Sequence, residues 1–206
     1  SQFRRIVAKP KEPIPARSKP NLYVLAVGIS EYQDKSFSLK AAHLDAEAIA
    51  DVFRKQENGS VFSKVDIKLL KNQEADRENI GRALEQLKRV GTEDDVWMVY
   101  LSGHAALVDG DYYFLAHKHD AATNVYDVRW KDIMDQVAKI PGRVILMVDT
   151  CHAAAIVGET RFRNVQPITA EDLLAEDKRN HRGNRKSLFF YAAGASYQLR
   201  QEGNRW

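Results

Sequence analysis

Two side chains in this sequence, His104 and Cys151, could together perform nucleophilic chemistry. Cys151 is the only cysteine and follows the apolar run VILMV and an aspartate, whereas His104 follows the run VWMVYL and a Ser-Gly pair. A cysteine thiol has a pKa of about 8.5, so at neutral pH it needs a neighbouring base or a positive field to become an effective nucleophile. A histidine supplies both, because it accepts the thiol proton and can later deliver a proton to a leaving amine. These residue types are those of a cysteine–histidine dyad.

The apolar pattern predicts the elements that must position this pair. Five short apolar runs predict strands over residues 22–27, 65–70, 96–101, 144–148 and 188–192. Apolar residues recurring every three or four positions predict helices over 39–53, 80–90 and 130–137. Strands that alternate with helices predict an α/β fold around a mostly parallel sheet.

The two reactive residues come just after two of these predicted strands. In an open α/β sheet, ligands bind beyond the carboxyl ends of the strands. If the strands before His104 and Cys151 are neighbours, the imidazole and the thiol face one crevice. The small residues around both positions leave room for a substrate backbone, and a tight turn after the strand would supply N–H donors for an oxyanion.

Two other interpretations of these residues stay open at this point. A lone cysteine at the end of a strand is commonly a small buried hydrophobe. Zinc is the second option, although the sequence has neither paired C-x-x-C nor H-E-x-x-H spacing. The conceivable zinc ligands are Cys151, His152, His117 and His119.

Composition excludes several classes of protein. The chain has 206 residues, of which 44% are hydrophobic, enough for one large globular domain. A single cysteine allows no intramolecular disulfide, and no apolar run approaches the roughly 20 residues of a membrane span, so we expect a cytoplasmic protein that does not bind membranes. A nucleotide is not expected as a ligand either, since AVGISEY after the first strand contains a single glycine.

Charge is concentrated at the start of the chain. Residues 1–20 contain six Lys or Arg and one Glu, a net charge of +5, and the whole chain carries +3, so residues 21–206 carry −2. This basic, proline-rich start is typical of a linker or arm. The near-neutral remainder makes nucleic acid an unexpected partner.

Two further segments lie between the predicted elements. Residues 109–114, DGDYYF, predict a turn and a short strand, as in a hairpin. Residues 155–186 predict an exposed loop with one short helix near 170–176. This loop ends in the basic segment DKRNHRGNRK, residues 177–186, in which five of ten residues are Lys or Arg.

The motifs YLSGHA and VDTCHA, in which the histidine and cysteine are 47 residues apart, resemble those of the caspase-like cysteine peptidases. NLYVLAVGISEY is similar to the first strand of that family, and LKAAHLDAEAIADVF to a helical segment of metacaspases and bacterial orthocaspases. DGDYYFLAH and FFYAAGASYQLRQE resemble later strands of bacterial members. The resemblance extends from residue 21 to the end and implies a caspase-like three-layer α/β sandwich with a mostly parallel central sheet.

The resemblance implies a role for each matching residue. Cys151 would be the nucleophile and His104 the general acid and base. Backbone N–H groups of Gly103, Ala105 and Cys151 would form the oxyanion hole. No cofactor is expected; some relatives require calcium, and no cluster of carboxylates in this sequence identifies a calcium site.

The resemblance also implies a substrate class. In metacaspases and their bacterial relatives, the pocket for the side chain before the scissile bond contains two aspartates, which match Asp149 and Asp45 here. Two carboxylates favour Arg or Lys through charge-assisted hydrogen bonds, so the expected substrates are proteins or peptides cleaved after Arg or Lys. Residues 177–186 match the region where many relatives are processed and are a candidate self-cleavage segment, with a solvated loop as the alternative.

Departures from the family pattern support a second hypothesis. Ala105 and Ala154 stand where the family has glycine, and relatives continue beyond QEGNRW with a further strand and helix. We therefore expect a basic arm at 1–20 and a caspase-like domain at 21–206 that lacks its final strand and helix, with additional domains in the same polypeptide. The alternative to an active peptidase is a catalytically weak or inactive scaffold or regulatory domain.

Overall fold

The computed structural model describes residues 18–152 and 188–192, the side chains of Cys151, His152 and 188–192 excepted. The predicted short helix near 170–176, the basic segment 177–186 and most of the N-terminal arm lie outside the described residues. The strands are β1 (Leu22–Gly28), β2 (Val65–Lys71), β3 (Val96–Val108), β4 (Asp111–Phe114), β5 (Val128–Arg129), β6 (Arg143–His152) and β7 (Leu188–Ala192). The α-helices are α1 (Ala42–Arg54), α2 (Arg77–Leu87) and α3 (Trp130–Val137).

The strands of the described residues form a single sheet with β3 near its centre. β1 pairs with β2 and β3, and β6 pairs with β3 and β7, all in parallel. β4 and β5 add two antiparallel pairs at the far end of β3. The prediction of a mostly parallel sheet is confirmed, and the strands that precede the two candidate catalytic residues are neighbours.

Helices cover both faces of this sheet. Apolar residues of α1 pack on one face against alternate residues of the central strands, including Met98 and Tyr100. The apolar faces of α2 and α3 pack on the other face, against Trp97, Val99 and Leu101. Since odd and even positions of β3 serve different helix layers, the molecule is the three-layer sandwich that the sequence predicts.

β3 is longer than its apolar run indicates. The run ends at Leu101, but the strand continues to Val108 because it pairs with β6 as far as Ala105 and forms a hairpin with β4 from Ala105 onwards. Asp109 and Gly110 connect the two strands with positive φ values of 51° and 85°, as a two-residue hairpin turn requires. The predicted hairpin is confirmed, whereas the expected tight turn directly after the run is wrong. His104 therefore lies inside a paired strand.

A glycine lets α1 approach the carboxyl end of β1. A Cβ atom on Gly28 would collide with the carbonyl oxygen of Ala42 and would lie 2.8 Å from the Cα atom of His43. Any larger residue would displace the first turn of α1. That turn carries Asp45, so this contact sets how close Asp45 lies to the sheet.

Within the described part of the chain, none of the helices combines the length and apolar character needed to cross a bilayer.

Candidate active site

Backbone register places the two predicted catalytic positions side by side. The Cα atoms of His104 in β3 and Cys151 in β6 are direct partners in the parallel ladder. Adjacent strands lie about 4.8 Å apart, so both residues sit at the same height on neighbouring strands. The juxtaposition that the sequence left conditional on strand order is present in the fold.

The imidazole of His104 is held by a backbone carbonyl. Its Nε2 lies 2.9 Å from the carbonyl oxygen of Phe37, and the side chain is buried. A carbonyl oxygen can only accept a hydrogen bond, so Nε2 is the protonated nitrogen and donates. In the neutral ring the lone pair is therefore on Nδ1, which is the nitrogen that can act as a base.

Aromatic residues surround this histidine. The backbone N–H of His104 donates to the hydroxyl of Tyr32 at 3.0 Å, and its carbonyl accepts from the backbone N–H of Leu115 at 2.9 Å. The rings of Tyr32 and Phe37 lie 5.3 Å and 6.1 Å from the imidazole, measured between ring centroids. Sequence reasoning missed both aromatic residues, since neither an accepting carbonyl nor a supporting tyrosine belongs to a recognisable motif.

The two predicted pocket aspartates influence the same tyrosine. Asp149 is half-buried in β6 close to the side chain of Tyr100, whereas Asp45 is exposed in the first turn of α1. The pKa of Tyr100 is raised to about 12, mainly by burial, with the charges of Asp149 and Asp45 acting in the same direction and the side chain of Ser102 acting against them. Burial also raises the pKa of Asp149, with the charge of Asp45 acting in the same direction. The two carboxylates thus belong to one acidic cluster.

This electrostatic coupling predicts a pH-dependent gain in stability for Asp149→Asn. A carboxyl group whose pKa is raised by folding contributes stability at low pH that is lost as the pH rises through that pKa. Asparagine removes the charge but keeps an oxygen for Tyr100. We expect a higher free energy of unfolding for the variant at about pH 7 and no gain at about pH 3, measured by urea denaturation. The exposed Asp51→Asn is the matched control, and an equal gain at both pH values would contradict the coupling.

The predicted oxyanion positions flank His104 in β3. A Cβ atom on Gly103 would lie 3.0 Å from the Tyr32 hydroxyl oxygen, so glycine allows the tyrosine its close approach. Ala105, which the resemblance matches to a glycine of the family, has a negative φ and lines a small cavity with Tyr112 and Trp130. Its methyl group therefore requires no left-handed backbone. Ala154, the second departure, lies outside the described residues.

The histidines considered as zinc ligands have other partners. Nδ1 of His117 lies 2.6 Å from the carbonyl oxygen of Glu31, and Nδ1 of His119 lies 2.7 Å from a carboxylate oxygen of Asp127. Among the described residues, no group of three or more His, Cys, Asp or Glu side chains could hold a metal ion. The side chains of Cys151 and His152 are outside the described set.

Comparison with known proteins identifies the family of this fold. The family model described as "Caspase domain" matches residues 22–203. No curated protein sequence is significantly similar to the chain.

Solved structures with a similar fold cover much of the chain. A protein from Geobacter sulfurreducens is 16% identical with a TM-score of 0.55, over 90% of this chain and 67% of its own. The Drosophila initiator caspase Dronc is 17% identical with a TM-score of 0.47, over 62% of this chain and 47% of its own. Pro-sf-caspase-1 is 10% identical with a TM-score of 0.47, over 66% and 52% respectively. The chain thus spans about half the length of the two caspases.

Proposed function

The chain belongs to the caspase-domain family, and from this premise we propose that it is a cysteine endopeptidase that cleaves after Arg or Lys. Membership of this family supports a cysteine-peptidase function. The observation that carries the proposal is the register of His104 and Cys151 on adjacent strands. The hydrogen bond from His104 Nε2 to Phe37 adds to it, because it leaves the basic nitrogen of the neutral ring at Nδ1.

Acylation begins with transfer of the Cys151 thiol proton to Nδ1 of His104. The thiolate attacks the carbonyl carbon of the scissile bond, and the carbonyl oxygen becomes an oxyanion. Backbone N–H groups of Gly103, Ala105 and Cys151 are the proposed donors to that oxyanion. The His104 N–H is not one of them, since it donates to Tyr32. The tetrahedral intermediate collapses, the C–N bond breaks, and the imidazolium gives its proton to the leaving amine.

Deacylation repeats these steps with water. Neutral His104 takes a proton from the water, whose oxygen attacks the thioester carbon. The C–S bond then breaks, and the proton returns to the Cys151 sulfur as the carboxylic acid product leaves. Throughout this cycle, the carbonyl of Phe37 keeps Nε2 protonated and stabilises the imidazolium that forms twice per turnover.

The acidic cluster accounts for the proposed specificity. Asp149 lies two residues before the nucleophile on the same strand, and Asp45 lies on the helix that packs against this face of the sheet. A guanidinium or ammonium group entering here would relieve the repulsion between the carboxylates as well as bind to them. An acidic side chain would meet two like charges instead.

Self-processing is a further part of this proposal. Residues 177–186 offer five Lys or Arg side chains to a protease that cleaves after such residues. We expect intact-mass analysis of the purified active chain to reveal a cut after one of them, and the Cys151→Ala variant to remain whole. A chain that turns over Arg peptides but stays intact would remove self-processing while leaving the peptidase proposal in place.

A non-catalytic scaffold is the competing function. The replacement of family glycines by Ala105 and Ala154 favours it, because glycine permits a closer approach of substrate backbone than alanine does. For Ala105 this argument is weaker, because its negative φ is a backbone conformation that alanine adopts without strain. Retention of Cys151, His104 and both aspartates favours the enzyme.

Peptide hydrolysis decides between the two functions. The chain should be assayed with fluorogenic peptides ending in Arg, Lys or Asp, beside its Cys151→Ala variant. We expect cysteine-dependent turnover after Arg and Lys and none after Asp. The scaffold is correct if no peptide is turned over, and the pocket assignment is wrong if only the Asp peptide is cleaved.

A further inference from the structure

A buried histidine–carboxylate pair, His119 and Asp127, packs against Phe37 beside the candidate active site. His119 Nδ1 is 2.7 Å from the Asp127 carboxylate, and both side chains are almost completely buried. The other ring nitrogen, Nε2, is buried and has no hydrogen-bond partner among the described atoms. A buried imidazole with one unpartnered nitrogen costs stability, so packing alone does not explain a histidine at this position. No step of the proposed peptidase chemistry uses this pair.

Asp127 fixes the backbone of this region as well as the ring. One carboxylate oxygen accepts from the backbone N–H of Ala116 at 3.0 Å, and the other bonds His119. Burial raises the pKa of Asp127, whereas the hydrogen bond and charge of His119 lower it. The carboxylate therefore ties together both ends of the segment 116–119 directly after β4.

The His119 ring contacts the residue that orients His104. Its centroid lies 4.7 Å from that of the Phe37 ring, in an edge-on arrangement with an interplanar angle of 79°. The centroid distances from Phe37 to Tyr32 and His104 are longer, at 6.2 Å and 6.1 Å. Since Phe37 also provides the carbonyl that accepts from His104 Nε2, the contacts run from Asp127 through His119 and Phe37 to the catalytic imidazole.

Backbone hydrogen bonds connect the same two segments. The N–H of Gln33 donates to the carbonyl of His117 at 2.9 Å, and the N–H of His117 donates to the carbonyl of Ala75 at 3.1 Å. The loop that carries Phe37 is thus attached to residues 116–119, which are in turn attached to the loop before α2. Because these hydrogen bonds hold both segments in place, a change in the position of His119 would also move Phe37.

We propose that His119, held by Asp127, is a positioning residue for His104, acting through the ring of Phe37. The expected effect on kcat rests on the proposed peptidase function. The expected effect on the position of His104 does not. A small displacement of a catalytic group can lower a rate by about 100-fold. Binding of substrate in the acidic cluster does not involve Phe37, so the effect should fall on kcat.

Two substitutions of His119 separate positioning from stability. Asparagine can still donate to Asp127 from near the position of Nδ1, but it removes the rest of the ring that contacts Phe37. Phenylalanine keeps a ring against Phe37 and loses the hydrogen bond. For an Arg peptide, we expect His119→Asn to lower kcat at least about tenfold with KM within about twofold, and His119→Phe to retain more of kcat.

Leu84→Ala is the matched control for stability. Leu84 is buried in α2 and belongs to the same core, but it takes no part in the contacts between Asp127 and His104. It should lower the melting temperature and leave kcat of the folded protein unchanged. The proposal is overturned if His119→Asn has wild-type kcat, or if His119→Asn and Leu84→Ala lower kcat equally at matched melting temperatures.

Nuclear magnetic resonance tests the same inference without turnover. In the Cys151→Ala background, the Nε2–H proton of His104 should exchange slowly with solvent because it is buried and bonded to Phe37. Adding His119→Asn should accelerate that exchange at least about tenfold. An unchanged exchange rate and chemical shift would overturn the proposal. If wild-type protein hydrolyses no peptide, the proposed function fails, whereas this measurement still decides the role of His119.

Discussion

Replacing Cys151 with alanine is expected to lower kcat/KM for an Arg peptide by at least about 10⁴-fold, because the reaction then has no nucleophile. His104→Ala should cost about 10³-fold or more, since the thiol is then mostly protonated at neutral pH and the leaving amine has no acid. For both variants, kcat should be measured at saturating substrate and kcat/KM at limiting substrate. Circular dichroism of each variant controls for folding.

The double variant sharpens this expectation. Residues that act as one catalytic unit are strongly non-additive, so Cys151→Ala with His104→Ala should be no slower than Cys151→Ala alone. Residual turnover within about tenfold of wild type in folded Cys151→Ala protein would show that another group performs the chemistry.

Neutralising the acidic cluster is expected to have the second largest effect. Asp45→Asn and Asp149→Asn should each lower kcat/KM for Arg and Lys peptides by about 10- to 100-fold, the loss that follows from one charge-assisted hydrogen bond. Because the two carboxylates share one cation, the loss of kcat/KM in the double variant should be smaller than the product of the two single losses. We expect it to be no more than about 10³-fold. A panel of peptides that differ only in the residue before the scissile bond measures this.

Asp51→Asn provides the matched control on the same helix. Asp51 is exposed in α1 and forms an ion pair with Arg54. It should leave kcat/KM within about threefold of wild type, as expected for a surface ion pair. If Asp45→Asn and Asp149→Asn behave like this control, the acidic cluster does not bind the substrate side chain.

The sequence predicted the strands and helices that position the site because apolar patterns follow which residues are buried. Apolar runs marked the positions of β1, β2 and β6 to within a few residues, and helical spacing marked α2 and α3. The sequence placed His104 and Cys151 just after two predicted strands and left open whether those strands are neighbours, and the fold makes them adjacent and puts the two residues in direct register. The apolar run before His104 ended too early, since Ser102, Gly103 and His104 interrupt it but stay paired with β6, and the hairpin with β4 continues the strand to Val108.

The supporting contacts of His104 could not be predicted in this way. The acceptor on Phe37 is a backbone carbonyl, which every residue has, and its position depends on a loop. Tyr32 bonds the His104 backbone across 72 residues of sequence. Asp127 is only 8 residues from His119, but the two are joined by a loop that has no periodic pattern. The sequence indicated His119 only as a conceivable zinc ligand, because histidine is a common metal ligand. Nothing in the sequence indicated that its partner is the buried Asp127.

The central claim is that His104 activates Cys151, and covalent labelling tests it most directly. Wild-type protein, His104→Ala and Cys151→Ala should be treated with a peptidyl chloromethyl ketone ending in Arg, and adduct formation followed by intact mass and peptide mapping. We predict one adduct on Cys151, formed at least about 100-fold faster in wild type than in His104→Ala, and none in Cys151→Ala. Equal labelling rates in wild type and His104→Ala would contradict the claim.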